Sequence, residues 1–132
     1  MMEHGQICTS GIEPSPRTSL TAVLSITRWL IIIYGGINDI YLNPVPDQIS
    51  VLDAKVNHFT WFTPNIDSAP STAPLNGHTA TLVGNYMIIA FVYNNQIHMI
   101  DMSEKNNYKW VKTIRQRDAR TSGFRDFLLD LL

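Results

Sequence analysis

The sequence repeats itself, and a chain made of two copies of one unit has few folds open to it. Thr21-Ala22 recurs as Thr79-Ala80, and Leu24 as Leu82. Leu30-Ile31-Ile32 matches Ile88-Ile89-Ala90, and all of these pairs stand about 58 residues apart. Further on, the offset drops to about 48, where Gln48-Ile49 matches Gln96-Ile97 and Leu52-Asp53 matches Ile100-Asp101. Trp61 then matches Trp110 at about 49. The drop of about ten residues places all the slack in one loop, residues 37–47. A fixed order of elements with slack only in a loop is what repetition of a structural unit predicts.

Each copy holds four short β-rich runs. In the first they are Leu20–Leu24, Trp29–Tyr34, Gln48–Leu52 and Asn57–Phe62. Trp29–Tyr34 is apolar on both faces, β-branched and stopped by Gly35-Gly36, so it reads as a fully buried strand. The second copy runs Gly77–Val83, Tyr86–Tyr93, Gln96–Ile100 and Tyr108–Thr113, with Gly84-Asn85 as a tight hairpin turn. Four strands joined in sequence make a meander sheet, and about 50 residues per sheet is the period of a propeller blade. An unrelated β-sandwich with chance matches is the competing reading. The conserved order of matches favours repetition.

Several positions have a physical role in such a unit. A glycine pair after the second strand, Gly35-Gly36, lets backbone approach closely and permits positive φ. Asp53 and Asp101 close equivalent strands, where a carboxylate caps a turn by accepting from an amide two residues on. Trp61 and Trp110 fill space between sheets. His78, after Gly77, is expected to hydrogen-bond at the start of its strand.

These segments carry a family resemblance. Ile33-Tyr34-Gly35-Gly36, Val51-Leu52-Asp53 and Trp61 resemble a kelch repeat. The second copy is similar through Gly77-His78-Thr79-Ala80-Thr81-Leu82-Val83-Gly84-Asn85, Met99-Ile100-Asp101 and Tyr108-Lys109-Trp110-Val111. The wording is similar to kelch-repeat proteins of filamentous fungi, of the kind described as galactose oxidase-like. It covers about residues 17–113 and departs from the pattern at Val92-Tyr93, where a glycine pair belongs. The resemblance implies an all-β fold of two four-stranded propeller blades. Propellers use about four to eight blades, so the ring is incomplete. It also implies binding of proteins or carbohydrate-related ligands through loops on one face. Galactose oxidase itself is a copper enzyme that uses tyrosine and histidine ligands and a tyrosine–cysteine cross-link. Cys8 lies outside both repeats, and no such ligand set can be placed on this chain.

The expected organisation follows. Residues 1–16 are N-terminal coil, 17–63 the first blade, 64–76 a Pro/Ser/Thr/Ala-rich linker, 77–113 the second blade, and 114–132 a tail. In the tail, Phe124, Phe127, Leu128 and Leu131 fall at helical spacing. The pattern predicts a short amphipathic helix from about Ser122 to Leu131.

The function expected is a non-catalytic binding or scaffold module. Loop 37–47 is the recognition element, with Asn38, Asp39, Tyr41 and Asn43 as candidate contacts. His4, His58, His78 and His98 do not form a ligand pattern, so no metal or other cofactor is expected. No serine, histidine and aspartate set stands out for acyl transfer, and there is no glycine-rich phosphate loop. A net charge of −1 gives no electrostatic reason for nucleic acid, and no apolar run approaches the roughly 20 residues of a membrane helix. A protein partner is expected, and the default compartment is the cytoplasm. Self-association would supply the missing blades. Two other readings stay open: a fragment of a larger propeller with no activity of its own, and a galactose oxidase-like propeller that has lost its copper site.

Overall fold

The computed structural model describes residues 9–55, 58–70, 76–91, 96–111 and 114–115. Every regular element among them is a strand, and the chain divides into two compact units between Pro64 and Asn65. The first unit contains β1 (Thr9–Gly11), β2 (Thr21–Ser25), β3 (Leu30–Tyr34), β4 (Ile49–Asp53) and β5 (Phe59–Phe62). Strands β2 to β5 form an antiparallel meander, and β1 lies parallel along the outer edge of β5. The second unit contains β6 (His78–Val83), β7 (Tyr86–Phe91), β8 (Gln96–Asp101), β9 (Lys109–Trp110) and β10 (Ile114–Arg115). Here β6, β7 and β8 form the meander, and β9 and β10 both pair with β8. Trp110 lies opposite Ile100 and Ile114 opposite Ile97, so the register shifts by one residue between them. Both short strands lie along β8. The first sheet is therefore a four-stranded antiparallel meander with β1 as a fifth, parallel strand, and the second is an antiparallel meander of β6, β7 and β8 whose outer edge carries β9 and β10.

Side chains directly opposite one another in antiparallel strands share a sheet face. In the first unit this gives the row Leu24, Ile31, Leu52 and Trp61 across all four strands. In the second unit the row is Leu82, Met87, Ile100 and Trp110. The matched pairs Leu24/Leu82, Leu52/Ile100 and Trp61/Trp110 thus occupy equivalent places. One match needs correction. Register aligns Leu30-Ile31-Ile32 with Tyr86-Met87-Ile88, two residues short of Ile88-Ile89-Ala90. Residues 26–29 connect β2 to β3, whereas Gly84-Asn85 alone joins β6 to β7. The shorter turn moves the partner strand by two residues. By the same correction the pair equivalent to Gly35-Gly36 begins at Phe91.

Both sheets carry buried side chains on each face. In the first, Val23, Ile32 and Val51 form a buried row, continued by Tyr34 and Ile49. Burial of the Tyr34 phenol pushes its pKa up and keeps it protonated. In the second unit Met87, Ile89, His98 and Ile100 are fully buried on the face that carries Trp110.

Three boundaries differ from expectation, for related reasons. The outer edge of a sheet presents unpaired backbone groups. Within the expected coil 1–16, β1 covers that edge in the first unit, and the Ile12 amide donates to the Trp61 carbonyl at 3.0 Å. Within the expected linker, the Asn65 amide donates to the Asn106 carbonyl at 2.7 Å and the Tyr108 amide to the Asn65 carbonyl at 2.8 Å. The Trp110 indole donates to the Asp67 carbonyl at 3.1 Å. Each unit is thus edged by the segment that leads into it. The pairing of Ile114-Arg115 with β8 also carries the second sheet past Thr113. The expected helix at 122–131 lies outside the described residues.

Candidate functional site

Loop 37–47 joins β3 to β4. It leaves the sheet through Gly35 and Gly36, at φ 72° and 108°. A Cβ at Gly36 would stand 2.9 Å from Arg17 Cδ and 3.0 Å from the Thr18 carbonyl oxygen. Glycine is required because the chain around Arg17 crosses against it. Thr18 and Ile37 exchange backbone hydrogen bonds of 3.0 and 2.9 Å, which fixes the start of the loop.

The loop's far end is held by a clamp. The Arg17 side chain is 2 % exposed and its guanidinium is satisfied in several directions. Nε donates to the Ser15 carbonyl at 3.0 Å, and Nη1 donates to the carbonyls of Gly35 at 3.1 Å and Asp47 at 2.7 Å. Nη2 pairs with Asp47 Oδ2 at 2.8 Å. Asp47 also accepts from the Ser15 amide at 2.8 Å and the Ser15 hydroxyl at 2.5 Å. Burial acts to raise the Asp47 pKa. The Ser15 hydrogen bonds, a bond from its own backbone and the Arg17 charge outweigh it and hold the carboxyl below its ordinary value. Arg17 therefore ties the end of β3 to the start of the chain leading into β4.

Between these anchors the loop has its own structure. Asn38 Oδ1 accepts from the amides of Ile40 at 2.8 Å and Tyr41 at 3.2 Å, capping a single turn. The Leu42 amide donates to the Asn38 carbonyl, and the Asn38 amide to the Asn43 carbonyl, both at 2.8 Å. Leu42 takes a positive φ of 56°, which an L-residue adopts only at a cost. Val45 is buried beneath. The result is a held loop whose tip, Ile40, Tyr41 and Leu42, is 78 %, 73 % and 69 % exposed.

Of the four candidates from the sequence, Tyr41 stands at this tip and Asp39 is exposed beside it. Asn38 is spent on the turn, and Asn43 contributes a backbone carbonyl to it. The sequence reading missed Ile40 and Leu42, the other two apolar residues of the tip. It also missed Ser15, Arg17 and Asp47. Pro14-Ser15-Pro16 reads as coil, and an arginine and an aspartate some thirty residues apart leave no periodic signature.

Among the structural positions, the two closing aspartates act alike. Asp53 Oδ1 accepts from the Lys55 amide at 3.0 Å, and Asp101 Oδ1 from the Ser103 amide at 2.9 Å, so both cap the following turn. Gly77 turns the chain at φ 62° into β6, where His78 is buried. Trp110 meets the edge of His98 with ring centroids 6.3 Å apart and planes at 86°. Among the described residues, no three His, Cys, Asp or Glu side chains converge, and no helix is long and apolar enough to cross a membrane. Comparison with protein-family models and with curated proteins matched no family and no relative.

Proposed function

We propose that this chain is a non-catalytic binding module, built from two kelch-type propeller blades, whose loop 37–47 recognises a protein partner. The observation that carries the reading is the clamped loop with its exposed apolar tip. Ordering a loop on binding costs conformational entropy, and a loop already fixed at both ends avoids that cost. An aromatic flanked by two aliphatic residues matches the anchor chemistry of protein interfaces. The tip carries no cation, which suits a protein pocket better than a phosphate backbone.

The blade reading rests on the matched registers, the glycine pair that ends β3, and the tryptophan that ends the equivalent row in each sheet. Selection from a displayed random-peptide library tests the binding reading. Peptides enriched on the wild-type chain should lose binding to Tyr41→Ser and Ile40→Ser, and keep it on Thr79→Lys, which alters an exposed position of the second sheet. Enriched peptides that bind the tip variants unchanged would remove the loop from the reading.

A further inference from the structure

Asn76 and Gly77 lead into β6 and form the one Asn-Gly pair of the sequence. Both are exposed, whereas the next residue, His78, is buried opposite Phe91. Gly77 takes a φ of 62°, which glycine reaches without strain. Among the described residues nothing hydrogen-bonds to the Asn76 side chain or to the Gly77 amide. The β6–β7 pairing begins at His78, so chemistry at the Gly77 nitrogen breaks no ladder hydrogen bond. Other asparagines are placed differently. Asn38 Oδ1 accepts from two amides, at 2.8 and 3.2 Å. Asn65 Nδ2 donates to Asn107 Oδ1 at 3.2 Å. Asn43 precedes Pro44, whose nitrogen carries no hydrogen.

We infer that Asn76 is a site of self-modification, where the side-chain amide is exchanged for an acid through a cyclic imide. Asparagine is among the least durable side chains, and the residue after it decides how readily it reacts. The Gly77 nitrogen attacks Asn76 Cγ, closing a five-membered ring as the new C–N bond forms. The bond from Cγ to Nδ2 breaks, and the leaving group takes the proton from the Gly77 nitrogen and departs as ammonia. Water then adds to one of the two imide carbonyls and opens the ring. Opening at the side-chain carbonyl leaves aspartate. Opening at the backbone carbonyl leaves isoaspartate, in which the main chain runs through Cβ and Cγ. No electrons are transferred; amide and water become acid and ammonia. Glycine suits the attacking position because no Cβ crowds its nitrogen. Either product adds a negative charge to a chain of formal net charge −1. Isoaspartate also lengthens the main chain just before His78, which is 7 % exposed.

The test is incubation of the folded chain at mildly alkaline pH, followed by peptide mapping with mass spectrometry. A synthetic peptide of residues 70–82 serves as the unstructured reference. The fragment holding Asn76 should become heavier by about one mass unit, the difference between an amide and an acid. It should also resolve into two products by chromatography. Its rate in the folded chain should lie within about three-fold of the reference, because no local structure has to open first. Gly77→Ala should slow the reaction by roughly ten-fold or more, because a β-carbon then crowds the nitrogen. Asn76→Gln needs a six-membered ring and should slow it likewise, deciding the matter if Gly77→Ala does not fold. No mass gain at Asn76 while the reference peptide reacts to completion overturns the inference. So does an earlier gain at Asn38 or Asn65, or a rate that neither substitution lowers.

Discussion

Replacing Arg17 with methionine should cost about 3 kcal/mol of stability and free the loop between β3 and β4. Methionine keeps most of the aliphatic stem, so the change removes the guanidinium and little packing. Breaking a buried ion pair by deleting one partner costs about 3–5 kcal/mol, because the other charge is left uncompensated. Asp47 retains its two bonds from Ser15 and is 23 % exposed at the side chain, which argues for the lower end. With a total stability of about 5–15 kcal/mol, this is a large share. A urea slope of about 1.5 kcal/mol/M would move the midpoint down by about 2 M. The assay is urea unfolding followed by circular dichroism, on wild type, Arg17→Met, Asp47→Asn and the double variant. The cycle isolates the pair. Amide exchange should accelerate at Asn38, Leu42 and Val45, whose donors close the loop. A loss below about 0.5 kcal/mol, the worth of an exposed surface pair, with those amides still protected, would refute the clamp.

The same pair sets an acid response. Because the folded-state pKa of Asp47 lies below its ordinary value of 3.8, its stabilisation is present above that value. It is lost as pH falls through the lower folded pKa. Acid unfolding of Asp47→Asn should therefore be shallower than wild type below about pH 4, and superimposable curves would contradict the assignment. Gly36→Ala should cost about 2–4 kcal/mol, since it adds a Cβ against Arg17 and Thr18 at positive φ. A melting temperature within a degree of wild type would show that the crossing relaxes freely. Asp53→Ala and Asp101→Ala should each lose about 1 kcal/mol, as expected for removing a turn cap. A strong inequality in chemical denaturation would mean that the two sheets do not use the aspartate alike. Ser50→Ala should be neutral or stabilising by up to about 1 kcal/mol, because the Ser50 hydroxyl is fully buried with no hydrogen-bond partner among the described residues. Clear destabilisation in the same assay would reveal a partner for it.

The strands were legible because their signals are local. Trp29–Tyr34 and Tyr86–Tyr93 are short, β-branched runs ended by turn residues, and the meander follows from short connections between them. The repeat was legible wherever equivalent residues keep their chemistry, as Trp61 and Trp110 do. It slipped by two residues at β3, where Leu30-Ile31-Ile32 and Ile88-Ile89-Ala90 look alike but lie in different registers. Apolar runs have little internal texture, so sliding one past another changes few identities. Register is set by the turn, and the change from residues 26–29 to Gly84-Asn85 carries that information.

The candidate site was legible only in part, for the opposite reason. Length and turn chemistry marked loop 37–47, and Tyr41 stood out as an aromatic within it. What fixes the loop comes from outside it, through Arg17 reaching across to Gly35 and Asp47. The edge segments show the same limitation. Nothing in Thr9-Ser10-Gly11 or Asn65-Ile66-Asp67 favours a strand strongly, yet both lie along an outer strand whose backbone groups need partners. These segments gain their structure from the sheets they border. Single-residue propensity does not carry that information, whereas the unsatisfied edge of a meander demands it. The tip chemistry is a related case. Asn38 suggests a polar contact when read alone, but its side chain is used to hold Ile40 and Tyr41 in place. Asn38 builds the tip, and Ile40, Tyr41 and Leu42 are left facing outward while Val45 is buried.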